Sequence, residues 1–271
     1  MTNIRMIFLL LLTCSTFSCK EYGIEIVIPN ANDLEENLAT ETVILGDFNF
    51  HPTSTTNVVY NRKGFSFSYS EAHEQSEWVA YELTHKDMVA TNYNRPYFNQ
   101  DPIVSTASAD WRNFKKSGYD RGHLCPAGDR KSSKELYDET FFTSNIAPQI
   151  PSFNNGVWNR LEQKTRYWTT KYNGLYVITG GVLKGEMKTI GKEKVVVPNY
   201  FYKIILDYHT PKLKVIAFLI PHQNSEKGLY QFVTSVDEIE RLTGIDFFPE
   251  LPDELETELE KSDSYINWSF N

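Results

Sequence analysis

Cysteine is scarce in this chain. It has three, Cys14, Cys19 and Cys125, in 271 residues, too few to staple a fold with disulfides. The apolar run Met6–Leu12 is too short to cross a bilayer. The six histidines show no H-E-x-x-H spacing, which argues against a zinc hydrolase of that type. Positive charge is in deficit: 27 Lys and Arg face 35 Asp and Glu, for a net charge of -8. Such a balance disfavours tight, non-specific binding to duplex nucleic acid. The chain has no internal repeat.

Apolar and aromatic residues are plentiful, at 41% and 14%. They suffice for one sizeable core and give little reason to expect two domains. The alternation Phe65, Phe67, Tyr69 predicts a strand, as do Trp78–Leu83, Leu175–Val182, Val195–Asp207 and Lys214–Pro221. Phe141–Ile146 predicts a short strand closed by Ala147-Pro148. Ala107–Lys116 predicts a short helix, and the stretch between the two motif strands a loop with a helical turn. Val157, Trp158, Leu161, Thr165 and Trp168 recur at helical spacing and predict a helix from Asn154 to about Tyr172. Ser235 and Glu238 form a capping-box signature for a helix to Thr243, ended by Gly244. Asp253–Lys261 predicts a last, acidic helix.

The stretch Tyr119–Tyr167 concentrates the chemistry. It holds D-R-G-H at Asp120–His123, S-N-x-x-P-Q at Ser144–Gln149 and F-N-x-G-x-W-x-x-L-E at Phe153–Glu162. These three blocks, in this order and spacing, resemble the DNA/RNA non-specific endonucleases. That family belongs to the ββα-metal, or His-Me finger, nucleases. The similarity runs from about Phe65 to about Trp268. It implies an α/β (α+β) fold with a central antiparallel sheet and a ββα-metal finger carrying the active site.

Phosphodiester hydrolysis needs a base for water, a counter-charge for the phosphorane oxygens and help for the leaving oxygen. An imidazole titrating near ~6.5 suits the base, and His123 beside Gly122 is the candidate. The resemblance implies Mg²⁺, with Mn²⁺ as a substitute, held by Asn154. Glu162 lies roughly 80° around and about 12 Å along an ideal helix from Asn154, so its expected contact with the ion is through water. Asn145 is expected to fix the His loop or a metal water. Arg121 and Arg95 offer planar forks for phosphate oxygens, and Arg130 is a third substrate-binding candidate. Asp120 is expected to fix an arginine. Cys125, two residues after His123, invites a Cys–His nucleophile, but the resembled family has no thiol chemistry.

Arg5 followed by Met6–Leu12 reads as a signal peptide over residues 1–18. Ser15–Cys19 resembles a loose lipobox, so Cys19 is the expected lipidation site. Residues 19–57, acidic and Asn-rich, then form a largely flexible tether, and residues 58–271 the nuclease domain. The expected location is the bacterial cell envelope, as a membrane-anchored lipoprotein; the rival is an ordinary signal peptide and a secreted or periplasmic protein. Expected partners are DNA and RNA, with the membrane through Cys19; no protein partner is inferable.

Between Trp111 and Lys134 there are seven Lys or Arg against two Asp. That local surplus allows weak, salt-sensitive contact with phosphates despite the acidic whole. Two other functions fit the same residues. One is a catalytically idle surface lipoprotein that only binds nucleic acid. The other is a phosphodiesterase on small nucleotides, which would need a closed pocket rather than an open groove.

Overall fold

The computed structural model of the chain describes residues 24–28, 41–45, 49–208 and 213–270. The expected signal peptide and the lipidation site at Cys19 lie outside the described residues. Within the expected tether, β1 (Ile24–Ile28) pairs antiparallel with β2 (Glu41–Leu45).

The body is built on one seven-stranded antiparallel sheet. Its strands are β3 (Tyr60–Asn61), β4 (Ser66–Ser70), β5 (Gln75–Leu83), β8 (Leu175–Gly181), β11 (Tyr200–Asp207), β12 (Lys214–Pro221) and β13 (Val233–Thr234). The spatial order is β13-β12-β11-β8-β5-β4-β3. Successive side chains leave a strand on opposite faces, and the two cores follow that rule. Phe67, Tyr69, Val79, Tyr81, Val177, Phe201, Ile205 and Phe218 line one face. Trp78, Ala80, Ile178, Tyr202, Ile204, Leu206 and Ala217 line the other.

Helix α3 (Asn159–Tyr172) packs on the first face through Leu161 and Trp168, with Trp158 just before it. Trp168 meets Trp268 edge-on at 4.9 Å, and its Nε1 donates to the Ser269 carbonyl at 2.7 Å, so the C-terminal segment covers the helix. The second face is covered by α4 (Val236–Thr243) and α5 (Asp253–Glu260). Ser235 caps α4 by accepting from the Glu238 amide at 3.2 Å, as its sequence signature predicts.

The motif hairpin stands apart from the large sheet. β6 (Asp120–His123) pairs antiparallel with β7 (Ile146–Gln149), with His123 opposite Ile146 and Asp120 opposite Gln149. The turn between them contains α1 (Lys134–Glu139). β9 (Lys188–Ile190) and β10 (Val195–Val197) form a further two-stranded ribbon.

Several predicted elements shift. Val195–Asp207 divides into β10 and β11 at Pro198-Asn199, because proline supplies no ladder donor. Phe141–Ile146 is mostly irregular, with a tight turn at Thr143–Asn145, and the strand begins where it was expected to end. Pro148 is tolerated there because each strand of a two-stranded ribbon has one edge without a neighbour. Ala107–Lys116 supplies only the 3₁₀ turn Trp111–Phe114. The body also starts before Val58: Phe50 packs 5.3 Å from Tyr176, and Trp78 Nε1 donates to the Thr53 carbonyl at 2.9 Å.

Candidate active site

Gly122 sets the hairpin's geometry. A Cβ on it would sit 2.2–2.5 Å from the Gln149 side chain, so only glycine lets that carboxamide lie against the strand. Arg121 and His123, two apart, share a strand face. Both lie against Phe98: the guanidinium 4.9 Å and the imidazole 5.7 Å from its ring centre. Phe141 meets the imidazole edge-on at 5.2 Å.

The His123 ring is partly buried, yet its Nε2 is fully buried with no hydrogen-bond partner. Burial, with the Arg95 charge nearby, pushes its pKa down to about 3, because a charged imidazole is poorly solvated there. It is therefore neutral across the physiological range.

After His123 the chain is pinned by Asn145. Its Nδ2 donates to the Cys125 and Thr140 carbonyls, both at 2.9 Å, and its Oδ1 accepts from the Cys125 amide at 2.8 Å. Asn145 is wholly buried, so of its two expected parts the structure shows the fixing of the His loop. Cys125 is buried too, and burial pushes its thiol up to about 12. A thiol held protonated is no nucleophile.

The helix that follows is not continuous. α2 (Pro151–Phe153) runs through a wide turn at Asn154–Trp158 into α3, with non-helical backbone at Gly156. A Cβ at Gly156 would lie 2.7 Å from Asn224 Oδ1. His222 fixes the start of α2. Its Nε2 accepts from the Ile150 amide at 2.7 Å while Nδ1 donates to the Pro198 carbonyl at 2.8 Å, which settles its tautomer.

This arrangement places Asn154 beside Asp120, where Asn154 Nδ2 donates to Asp120 Oδ2 at 3.0 Å. Asp120 thus holds Asn154 rather than an arginine. The bond orients the carboxamide and leaves Oδ1 as its acceptor. The pair lines a cleft of about 570 Å³ together with Arg95, Trp111, Lys115, Lys116, Tyr119 and Arg121. Four cationic side chains line that cleft against one carboxylate. Lys115 and Lys116 also line a neighbouring groove with Lys192, Glu193 and the ion pair Arg112–Asp110, so a surplus of positive charge continues past the mouth.

A hard divalent cation takes oxygen ligands, and magnesium keeps most of its waters. One oriented carboxamide oxygen beside one carboxylate, opening on a cleft with room for water, fits that demand.

His123 and Asn145 are not among the residues that line the cleft, and two further expected residues lie elsewhere. Arg130 is buried at 3% exposure. Its guanidinium donates to the carbonyls of Gly64 at 2.6 Å, Glu82 at 2.7 Å and Asp129 at 2.9 Å. Its expected contact with substrate is therefore corrected: it is a buried clamp with its donors already used. Glu162 does not line the cleft. It faces Arg166, 3.6 Å away, in a buried ionic cluster with Lys203 and Asp129. Asp129 accepts from Arg166 Nε at 2.6 Å and from Tyr81 at 3.0 Å. Burial raises the Glu162 carboxyl to about 7, against the pull of Lys203 and Arg166.

Motif reading did not single out Phe98, Phe141, Trp111, Lys115, Lys116 or His222. The basic surplus between Trp111 and Lys134 signalled the lysines. Nothing local signalled the two phenylalanines, which reach His123 from distant loops.

A hairpin bearing His, braced against a helix start bearing Asn, defines the ββα type of nuclease site. The family model described as DNA/RNA non-specific endonuclease matches residues 49–254, and the chain belongs to that family. It is 37% identical over 201 residues to the mitochondrial nuclease EXOG of Danio rerio, covering 68% of this chain and 59% of the relative. It is 28% identical over 206 residues to human mitochondrial endonuclease G, covering 70% and 69%. Its fold matches a chain of the solved EndoG/EndoGI complex with a TM-score of 0.67 at 30% identity, over 73% of this chain and 88% of that one. The chain spans about three fifths of the EXOG relatives' length.

These relatives correct one expectation. Nucleases of fish, mouse, human and yeast that are named mitochondrial overturn the reading of a lipoprotein anchored in a bacterial envelope. The lipobox-like run Ser15–Cys19 was too loose a pattern to carry it.

Proposed function

We propose that this protein is a divalent-cation-dependent endonuclease that hydrolyses phosphodiester bonds of DNA and RNA, with Mg²⁺ as the working ion and Mn²⁺ as a substitute. The observation that carries this reading is the Asp120–Asn154 pair opening on a cleft walled by Arg95 and Arg121.

In this reading His123 is the general base. Its buried Nε2 leaves the Nδ1 edge as the accessible one, and that nitrogen takes the proton from the attacking water. Phe98 and Phe141 keep the ring neutral and fixed. Asn154 holds the cation through Oδ1, and Asp120 keeps that oxygen aimed. The bound cation supplies Lewis-acid stabilisation of charge on the phosphorane and the leaving oxygen. Arg95 and Arg121 pair with the non-bridging oxygens, and attack in line leaves a 5′-phosphate. Lys115, Lys116 and Lys192 continue the phosphate path. Glu162 acts on position: with Arg166 it ties α3 to Asp129, behind the hairpin.

The sugar is not read. The cleft offers charges to phosphate and few fixed polar groups to a 2′-hydroxyl, in keeping with cleavage of both polymers. Supercoiled plasmid tests the proposal. Nicking by the full-length protein with Mg²⁺, abolished by EDTA and by His123→Ala, is the expected result. Nicking that survives EDTA rules out the cation; retention without cleavage supports a binding module instead.

A further inference from the structure

Five carboxylates crowd together on the face of the sheet opposite the hairpin. Asp237 and Glu240 come from α4, Glu256 and Glu260 from α5, and Asp246 from the loop between them. Carboxylate oxygens of Asp237, Glu240 and Glu260 lie within 4.8 Å of one another, and so do those of Asp246, Glu256 and Glu260. Glu260 belongs to both sets. It is 7% exposed, and its Oε1 is buried without a hydrogen-bond partner. Among the described residues, none of the five forms an ion pair. A buried, unpaired carboxylate ringed by four others is unstable as an anion.

We propose that this cluster is a calcium site centred on Glu260. Oxygens on opposite sides of one Ca²⁺ are about 4.8 Å apart at a bond length near 2.4 Å, and the oxygens of each triad fall within that distance. Calcium accepts six to eight oxygen ligands in irregular geometry, whereas magnesium holds its waters and resists a dense carboxylate cage. Among the described residues one ligand oxygen has another partner: Glu240 Oε1 accepts from the Phe247 amide at 2.7 Å, which orients that carboxylate.

The neighbourhood supports the assignment. Burial first, then Glu240, Glu256, Asp246 and Asp237, pushes the Glu260 carboxyl up to about 9. Glu240, Asp246 and Glu256 are also raised, each chiefly by burial. The site is structural. Ile239 of α4 and Leu255 and Leu259 of α5 pack into one core, so an ion at Glu260 clamps the two helices across that face without touching the cleft.

Calorimetric titration of CaCl₂ into chelator-stripped, full-length protein, with thermal unfolding in parallel, tests this. Wild type is expected to bind Ca²⁺ and to gain about 5 °C or more in Tm at a hundred-fold excess over Kd. Glu260→Gln and, independently, Asp246→Asn should weaken binding at least ten-fold and erase the gain. Without calcium, Glu260→Gln should unfold no earlier than wild type, because it replaces a buried carboxyl that its surroundings already keep protonated. Its nicking rate in Mg²⁺ should stay within two-fold. Asn154→Ala should bind Ca²⁺ as wild type does. Calcium binding lost in Asn154→Ala but kept in Glu260→Gln, or absent from wild type at millimolar calcium, would overturn the proposal.

Discussion

Two arginines of one short run have opposite fates. Arg121 lies over Phe98 on the wall of the cleft. Arg130, nine residues on, is buried with its donors spent on three backbone carbonyls. The same contrast holds for the regions around them. The cleft collects groups with capacity left over: Asn154 with a free acceptor, and Arg95 and Arg121 with no carboxylate partner among the described residues. Behind it, Asp129, Glu162 and Arg166 are bonded to one another, and Lys203 is buried beside them with its Nζ donating to Thr179. Residue type is shared by both regions; the supply of partners differs. Unspent bonding capacity at an open surface is available to a ligand, while a satisfied network holds an element in place.

Breaking the cleft should cost activity and leave the fold intact. The largest effect is expected from His123→Ala, a fall in plasmid nicking of about 10³-fold with an unchanged circular dichroism spectrum. A loss under ten-fold would move the base elsewhere. Arg121→Ala should lower kcat/KM about 10²-fold, roughly 2.7 kcal/mol of transition-state stabilisation, with Tm within about 1 °C of wild type.

Breaking the network should do the reverse. Arg130→Ala should cost about 3 kcal/mol of stability, read as a shift in the urea midpoint. Its activity per folded molecule should stay near wild type. Should Arg130→Ala act like Arg121→Ala, the division between the two regions fails.

The last effect concerns acid. A buried histidine with its pKa near 3 refuses a proton that the unfolded chain accepts near ~6.5. The stability tied to keeping His123 neutral is therefore complete above pH 6.5 and is lost as pH falls toward 3, by up to about 1.4 kcal/mol per unit. His123→Phe should flatten the Tm–pH curve in that window. An unchanged slope would mean that the ring is solvated in the native state.

Much of this was legible in the sequence. The antiparallel sheet was, because alternation in Phe65–Tyr69 and the long apolar strands leave few other folds. The meeting of Arg121 and Asn154 at one cleft was, because their blocks sit at fixed separations. Arg130 was misjudged because a motif gives residue type and not partners, and its carbonyl acceptors lie as far away as Gly64. Glu162 was placed on an ideal helix, but Gly156 breaks that helix between it and Asn154. The phenylalanine box around His123 is assembled from loops whose meeting no local pattern encodes.

Direct cation binding tests the central claim, that Asn154 Oδ1 is a ligand. Mn²⁺ binding to the full-length Glu260→Gln protein, followed by electron paramagnetic resonance, isolates the cleft from the carboxylate cluster. Adding Asn154→Ala should weaken the remaining Mn²⁺ affinity at least ten-fold; superimposable titrations with and without that change would contradict the account.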